Sequence, residues 1–249
     1  MIGKKILIVG ATSAMAQHCA RIWLSSGPAE LVLLGRDAAR LQCVADDLAV
    51  RSPQSSIQVE TANFIDSAEI QATVDRIVDA GLPDIVLVAH GSLPDQATCQ
   101  SDLNACRDAL EVNAISPVLY TEAFVQHMAR AGRGTVAVIG SVAGDRGRKS
   151  NYVYGAAKGL VTRYVQGLQH RLAGTGVAAC LIKPGPTDTP MTAHMKGSGA
   201  KLAPVEQVAA QIVAAVERKR PVAYVPGKWA IIMMIIRHLP TFVFNKMNI

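Results

Sequence analysis

Three side chains between Gly140 and Gly159 have types and spacing suited to moving a proton: Ser141, Tyr154 and Lys158. Tyr154 and Lys158 are four residues apart, which on a helix stacks them on one face; Tyr152 and Lys158, six apart, look to different sides. A phenol is a poor acid–base group at neutral pH, because its ordinary pKa is about 10. A neighbouring ammonium favours the phenolate and lowers that value, which brings proton exchange with an alcohol or carbonyl within reach. Ser141, thirteen residues before Tyr154, could polarise the same oxygen. Nothing here reads as a nucleophile, so hydride would come from a cofactor. A Tyr–Lys pair at this spacing is also common on ordinary helices. The chemistry depends on what else converges there.

Strands and helices must bring these groups together. Short apolar runs at 5–10, 30–35, 56–61, 84–91, 134–140, 176–182 and 221–226 read as strands. Between them, Met15–Ser26, Ala38–Ala49, Ser67–Ala80, Asn104–Ala131, Val153–Leu172 and Pro204–Lys219 repeat apolar residues at helical spacing. Alternation without a polar linker or a repeat predicts one α/β domain over 1–249, a Rossmann-like, doubly wound parallel sheet with helices on both faces. Aromatics are only 4% of a chain that is 50% hydrophobic, so Ala, Val, Ile and Leu must build the core, as suits buried parallel strands. Residues 185–203 read as a loop over the substrate.

The first strand ends in GATSAMA, Gly10–Ala16, and runs into a helix. A strand, a tight glycine turn and a helix N-terminus can hold a pyrophosphate through backbone N–H groups and the helix dipole. An ordinary turn capped by Thr12 or Ser13 would look the same. The second strand ends LLGRD, with Gly35 and Arg36 where an acid would take the ribose 2′-hydroxyl of NAD. A guanidinium there suits the 2′-phosphate of NADP, so NADP is expected ahead of NAD; a surface arginine is the alternative.

These marks, in this order, resemble the short-chain dehydrogenase/reductase family over essentially the full chain: Gly10 of the turn, Asn113 of VNAISP, Ser141, Tyr154 with Lys158, and KPGPTDT at Lys183–Thr189. The resemblance implies that Tyr154 is the proton donor, that Ser141 holds the carbonyl, and that Lys158 binds the nicotinamide ribose and tunes Tyr154. Asn113 would position a relay water. Cofactor contacts carried over are Gly10, Thr12, Ser13, Ala14 and Met15 in the turn, Arg36, Asn63 and Phe64 towards the adenosine, Ala89 and Gly91 after the fourth strand, Tyr154 and Lys158 themselves, and Pro184, Gly185, Thr187 and Thr189 at the carboxamide end. Tyr152 is expected as a wall of the substrate site. The chain departs from the family at Ala14 and Ala16, which replace turn glycines, and at Val88–Gly91, where VAHG replaces the usual asparagines. His90 is assigned packing or hydrogen bonding and no catalysis.

The formal charge of +6 is scattered rather than clustered with aromatics, which argues against nucleic acid. The five cysteines are far apart with no C-x-x-C pair, and the six histidines show no metal spacing. With no signal peptide visible, a cytoplasmic protein without metal is expected. Lys228–Met247 is apolar with basic flanks; its longest apolar run, eight residues, is far short of the ~20 that span a bilayer. A subunit interface in a homo-oligomer, a lid, or peripheral contact with an anionic membrane would each use it. This tail and GATSAMA are similar to the decaprenylphosphoryl-keto-pentose reductase-like subgroup. The leading expectation is reduction of a keto group on a lipid-linked sugar or other apolar-tailed substrate. A 3-oxoacyl-thioester reductase and a non-catalytic dinucleotide sensor are the alternatives, the intact trio speaking against the sensor.

Overall fold

The computed structural model describes residues 3–198 and 201–247. Met1, Ile2, Gly199, Ala200, Asn248 and Ile249 lie outside it, and with them the ends of the 1–249 domain and of the tail and a piece of the 185–203 loop. The first half runs β1 (Lys5–Val9), α1 (Ala14–Ser25), β2 (Glu30–Gly35), α2 (Ala38–Arg51), β3 (Ser56–Thr61), α3 (Ser67–Asp79) and β4 (Ile85–Val88). The second half runs α4 (Gln96–Ser101), α5 (Leu103–Leu110), α6 (Ser116–Ala131), β5 (Gly134–Ile139), α7 (Tyr152–Arg171), β6 (Val177–Pro184), α8 (Val205–Glu217) and β7 (Val222–Val225). It closes with α9 (Lys228–His238) and α10 (Thr241–Phe244).

Among the described residues, seven strands pair in parallel in the order β3-β2-β1-β4-β5-β6-β7. The order reverses between β1 and β4, and the crevice beyond their carboxyl ends is where such sheets bind ligands. Alternate residues of the five inner strands feed two apolar layers. Ile6, Ile8, Leu31 and Leu33 join α1, α2 and α8 on one side, while Leu7, Val9, Val32 and Leu34 join α3, α6 and α7 on the other. Burial on both faces is why these strands are continuous apolar runs.

The expected helix Asn104–Ala131 is in fact α5, a π-helical turn at Glu111–Ile115, and α6. Helical periodicity continues through the wider turn, so the pattern does not show it. The 185–203 segment contains a 3₁₀ helix at Pro190–Ser198. Asp37, Asp66, Asp95 and Asp102 each cap a helix (α2 to α5) by accepting a backbone N–H of its first turn. Such caps contribute ~1 kcal/mol apiece. The tail folds back onto the body: Met233 is fully buried, and Trp229 packs so close to Gly185 that a side chain there would overlap the indole.

Candidate active site

Gly140 ends β5 by donating its N–H to the carbonyl of Ile182, and Ser141 follows it into a 3₁₀ turn, Val142–Asp145. Ser141 Oγ accepts the N–H of Ala143 at 3.1 Å, which fixes its lone pairs and leaves its proton free to aim elsewhere. It faces the Tyr154 phenol, whose upward shift it opposes. The 3₁₀ turn meets α7 backbone to backbone, since a Cβ on Gly144 would lie 2.6 Å from the carbonyl of Lys158. Glycine at that contact is what lets the serine reach the tyrosine.

Lys158 is 3% exposed and donates Nζ–H to the Ile139 carbonyl at 3.0 Å. Its burial depresses the ammonium to about 8. The expectation that Lys158 lowers the phenol is not met here. Burial pushes the Tyr154 phenol up, and the Ser141 hydroxyl acts in the opposite sense. The ammonium lies 5.9 Å from the ring centroid and is turned to the backbone of β5.

Asn113 sits in the π-helical turn, fully buried. Its Oδ1 accepts from Ser92 N at 2.9 Å, and its Nδ2 donates to Ala109 O at 2.8 Å. Asn113 Oδ1 and Lys158 Nζ both abut Gly91, so turn and helix meet at the end of β4. These residues line a cleft of about 880 Å³, together with Ser13, Met15, Ala89, Pro184, Gly185, Thr187 and Thr189.

A second cavity of about 990 Å³ adjoins it, sharing Ser13, Met15, Ala89, His90, Gly91, Thr189 and Met191, and adds Gly10, Thr12, Ala14, Arg36 and Phe64. Gly10 adopts φ +84°, and a Cβ there would lie 2.6 Å from the His90 amide; only glycine makes this turn beside β4. Ser13 occupies the N-cap position of α1 but its side chain caps nothing, and no acid stands in the first turn. Unlike α2 to α5, this helix keeps its N-terminal donors for another acceptor. That arrangement fits a pyrophosphate.

A family model described as short chain dehydrogenase matches residues 4–198. The chain belongs to the short-chain dehydrogenase family, and it is an NAD(P)-dependent oxidoreductase. Relatives include an uncharacterized oxidoreductase of Streptomyces coelicolor, 30% identical over 98% of this chain and 96% of that protein. Another, from Mycobacterium tuberculosis strain H37Rv, is 32% identical over 97% and 96%. The same fold occurs in levodione reductase, with TM-score 0.82, 20% identity, and coverage of 92% of this chain and 99% of that one. It occurs again in a short-chain dehydrogenase from Sphingobium yanoikuyae in complex with NADPH, with TM-score 0.82, 20% identity, and coverage of 98% and 96%.

Within this family fold, three residues depart from the sequence expectation. Asn63 does not line either cavity: its Oδ1 accepts from Ile65 and Asp66, and its carbonyl accepts the Tyr120 hydroxyl. It holds the loop that carries Phe64. Tyr152 is not a wall of the cleft and is 44% exposed, because two residues along a helix turn a side chain by about 200°. Arg40 was not anticipated, yet it lines the second cavity with Arg36. The signal was its place one turn beyond Arg36, across the capping Asp37.

His90 is a packing residue with one hydrogen bond. Its Nε2 is 2.9 Å from Ser116 Oγ, and its ring meets Phe64 edge-on at 4.7 Å. Burial, then the charges of Lys158 and Arg36, hold its pKa down to about 3, so it is neutral. Among the described residues, no group of three or more His, Cys, Asp or Glu side chains is placed to hold a metal ion. No helix among them is long and apolar enough to cross a membrane.

Proposed function

We propose that this protein reduces a ketone to a secondary alcohol with NADPH, as one catalytic domain spanning residues 1–249. The observation that carries the reading is the convergence of Ser141, Tyr154, Lys158 and Asn113 on one cleft, next to a cavity fitted for a dinucleotide. A bound nicotinamide would supply hydride to the carbonyl carbon. Ser141 donates a hydrogen bond to the carbonyl oxygen, and Tyr154 gives that oxygen its proton. Lys158 would hold the ribose and favour the Tyr154 phenolate left behind, which regains its proton from solvent through the relay. Asn113 has spent its amide on Ser92 and Ala109, so a relay water would be left to the backbone of the widened turn.

Arg36 and Arg40 together favour the 2′-phosphate of NADPH over NADH. Arg36 also lies 6.0 Å from the Phe64 ring centroid, which holds the guanidinium over the cavity. The family relative from Sphingobium yanoikuyae binds NADPH. The apolar side chains of Leu93, Met191 and Met195 on the cleft suit an apolar-tailed ketone, a lipid-linked keto-sugar among them. The test is NADPH consumption against keto-sugars, polyprenyl-linked keto-sugars and 3-oxoacyl thioesters, repeated with NADH and with Arg36→Ala. The reading requires at least one ketone to turn over, and Arg36→Ala to weaken NADPH about tenfold more than NADH, as loss of a charge-assisted contact would. Equal weakening would remove Arg36 from the phosphate site.

The tail exposes Ile231, Met234 and Ile235 along one side of α9, and Phe242 on α10. We assign this stripe to contact with a second copy of the chain. Sedimentation velocity would support it with a species above monomer mass that truncation at Trp229 dissociates. A monomer that sediments with anionic vesicles would assign the stripe to a membrane instead.

A further inference from the structure

The loop between the 3₁₀ turn and α7 contributes Arg148 and Asn151 to the cleft that holds Tyr154. Nε and Nη2 of Arg148 are buried and have no hydrogen-bond partner; neither has Oδ1 of Asn151. Folded chains rarely leave buried polar groups unpaired, and a lone buried cation is the most costly kind. The nearest acid in the loop favours the Arg148 charge without hydrogen-bonding to it, and burial still outweighs that attraction. Asp145 is already engaged by Lys183 through one oxygen and by the Tyr224 hydroxyl, at 2.7 Å, through the other. None of the residues lining the cleft is an Asp or Glu, so Arg148 and Lys158 are cations there without an acidic neighbour on its walls.

Which two nitrogens are buried unpaired is informative. Nε and Nη2 share one edge of the guanidinium, and that edge presents two parallel N–H donors matched to two oxygens of a carboxylate or phosphate. The anions of a dinucleotide have other partners in the uncapped start of α1 and in Arg36 and Arg40 of the adjoining cavity. We propose that Arg148 is a specificity-determining residue that grips an oxyanion of the substrate, so that the ketone reduced here carries a carboxylate or phosphate. Asn151 Oδ1, an acceptor, repels that anion and suits a hydroxyl of the same substrate. The proposal rests on the ketone-reductase reading of the cleft and adds the charge of the substrate to it.

Matched ketones test it: acetoacetate against ethyl acetoacetate, and dihydroxyacetone phosphate against dihydroxyacetone, with NADPH as reductant. Wild type should favour the charged member of one pair by about tenfold or more in kcat/KM, as one bidentate charge contact provides. The pair that shows it distinguishes carboxylate from phosphate. Arg148→Met should erase the preference, with the charged ketone losing about tenfold more in kcat/KM than its neutral partner, while Arg148→Lys should retain part of it. Arg148→Gln replaces the methionine variant if that does not fold.

A second readout needs no turnover: acetate or inorganic phosphate should raise the Tm of the NADPH-loaded wild type and not of Arg148→Met. A preference that survives in Arg148→Met, a wild type that treats both members alike, or an equal rise of Tm in both proteins overturns the proposal. Failure of the reductase reading looks different, because no ketone would then consume NADPH while Arg148-dependent anion binding persists.

Discussion

On the floor of the cleft, Lys158 reaches the Ile139 carbonyl at 3.0 Å and Asn113 divides its amide between Ser92 and Ala109. On the loop that walls the cleft, two nitrogens of Arg148 and one oxygen of Asn151 reach nothing. On the floor, Lys158 and Asn113 are held by strand ends and helices through their own hydrogen bonds, although His90 beside them keeps Nδ1 unpaired. The wall has left its polar groups unpaired by the protein, and a ligand of the right chemistry can complete them. Reaction type is therefore written in the satisfied groups and substrate choice in the unsatisfied ones.

The sharpest way to break this contrast is at the floor. Tyr154→Phe should lower kcat by about 10² to 10⁴, the usual share of general acid catalysis, with the NADPH dissociation constant near wild type. Tyr152→Phe, on the exposed side of the same helix, should stay within about twofold, on the scale by which surface changes act. Steady-state kinetics on the two variants would undo the assignment of floor and exterior if their effects were reversed.

A smaller effect concerns the anchor of the wall. Asp145 and Lys183 are an ion pair whose side chains are 2% and 4% exposed, and Asp145→Asn leaves the lysine buried without its charge partner. Removing one member of such a pair costs about 3–5 kcal/mol. Urea unfolding of the variant measures it; a loss below about 1 kcal/mol would show that the loop is not held by this pair.

The smallest effect is a pH dependence of stability set by the buried ammonium on the floor. Burial depresses Lys158 from its ordinary 10.5 to about 8. Between these values the unfolded chain binds more protons than the folded one, so stability rises with pH across that window. Below about pH 8 the cost of the buried charge is fully present. The cofactor-free Lys158→Met variant should therefore gain on wild type near pH 7 and lack the rise. Urea midpoints at pH 7, 8, 9 and 10 compare the two, and parallel curves would refute the depressed ammonium.

Much of the floor was legible in the sequence, because its parts obey short-range rules. The five inner strands, β1, β2, β4, β5 and β6, are apolar runs, edge strand β3 alternates polar and apolar residues, and Ser141, Tyr154 and Lys158 are tied to a strand end and to one helical face. What escaped lacks a period or hides inside one. Gln96–Ser101 makes a helix of six residues, too short for periodicity to register. The π-helical turn around Asn113 interrupts a pattern that still reads as one helix. Arg148 lies in DRGRKSN, where polar composition suggests a solvated loop, and only the folded backbone turns it inward. Tyr152, expected as a wall of the substrate site, is turned out of it by the two-residue step along α7 from Tyr154.

Three neighbours in that loop look to three different parts of the molecule. Asp145 faces Lys183 and Tyr224 on the last two strands; Arg146 stacks over Phe244 at 3.9 Å and donates to the carbonyls of Ile236 and Leu239 at the end of α9; Arg148 faces the cleft. Surface loops ordinarily absorb insertions and deletions as families diverge. Here one added or missing residue between 145 and 148 would put the wrong side chain on the sheet, on the tail or in the cleft. The length of this loop is thereby frozen, and new substrates can be reached only by exchanging the side chain at 148 and its neighbours in place. Relatives that differ in loop length here would need to have rebuilt the attachment of the tail as well.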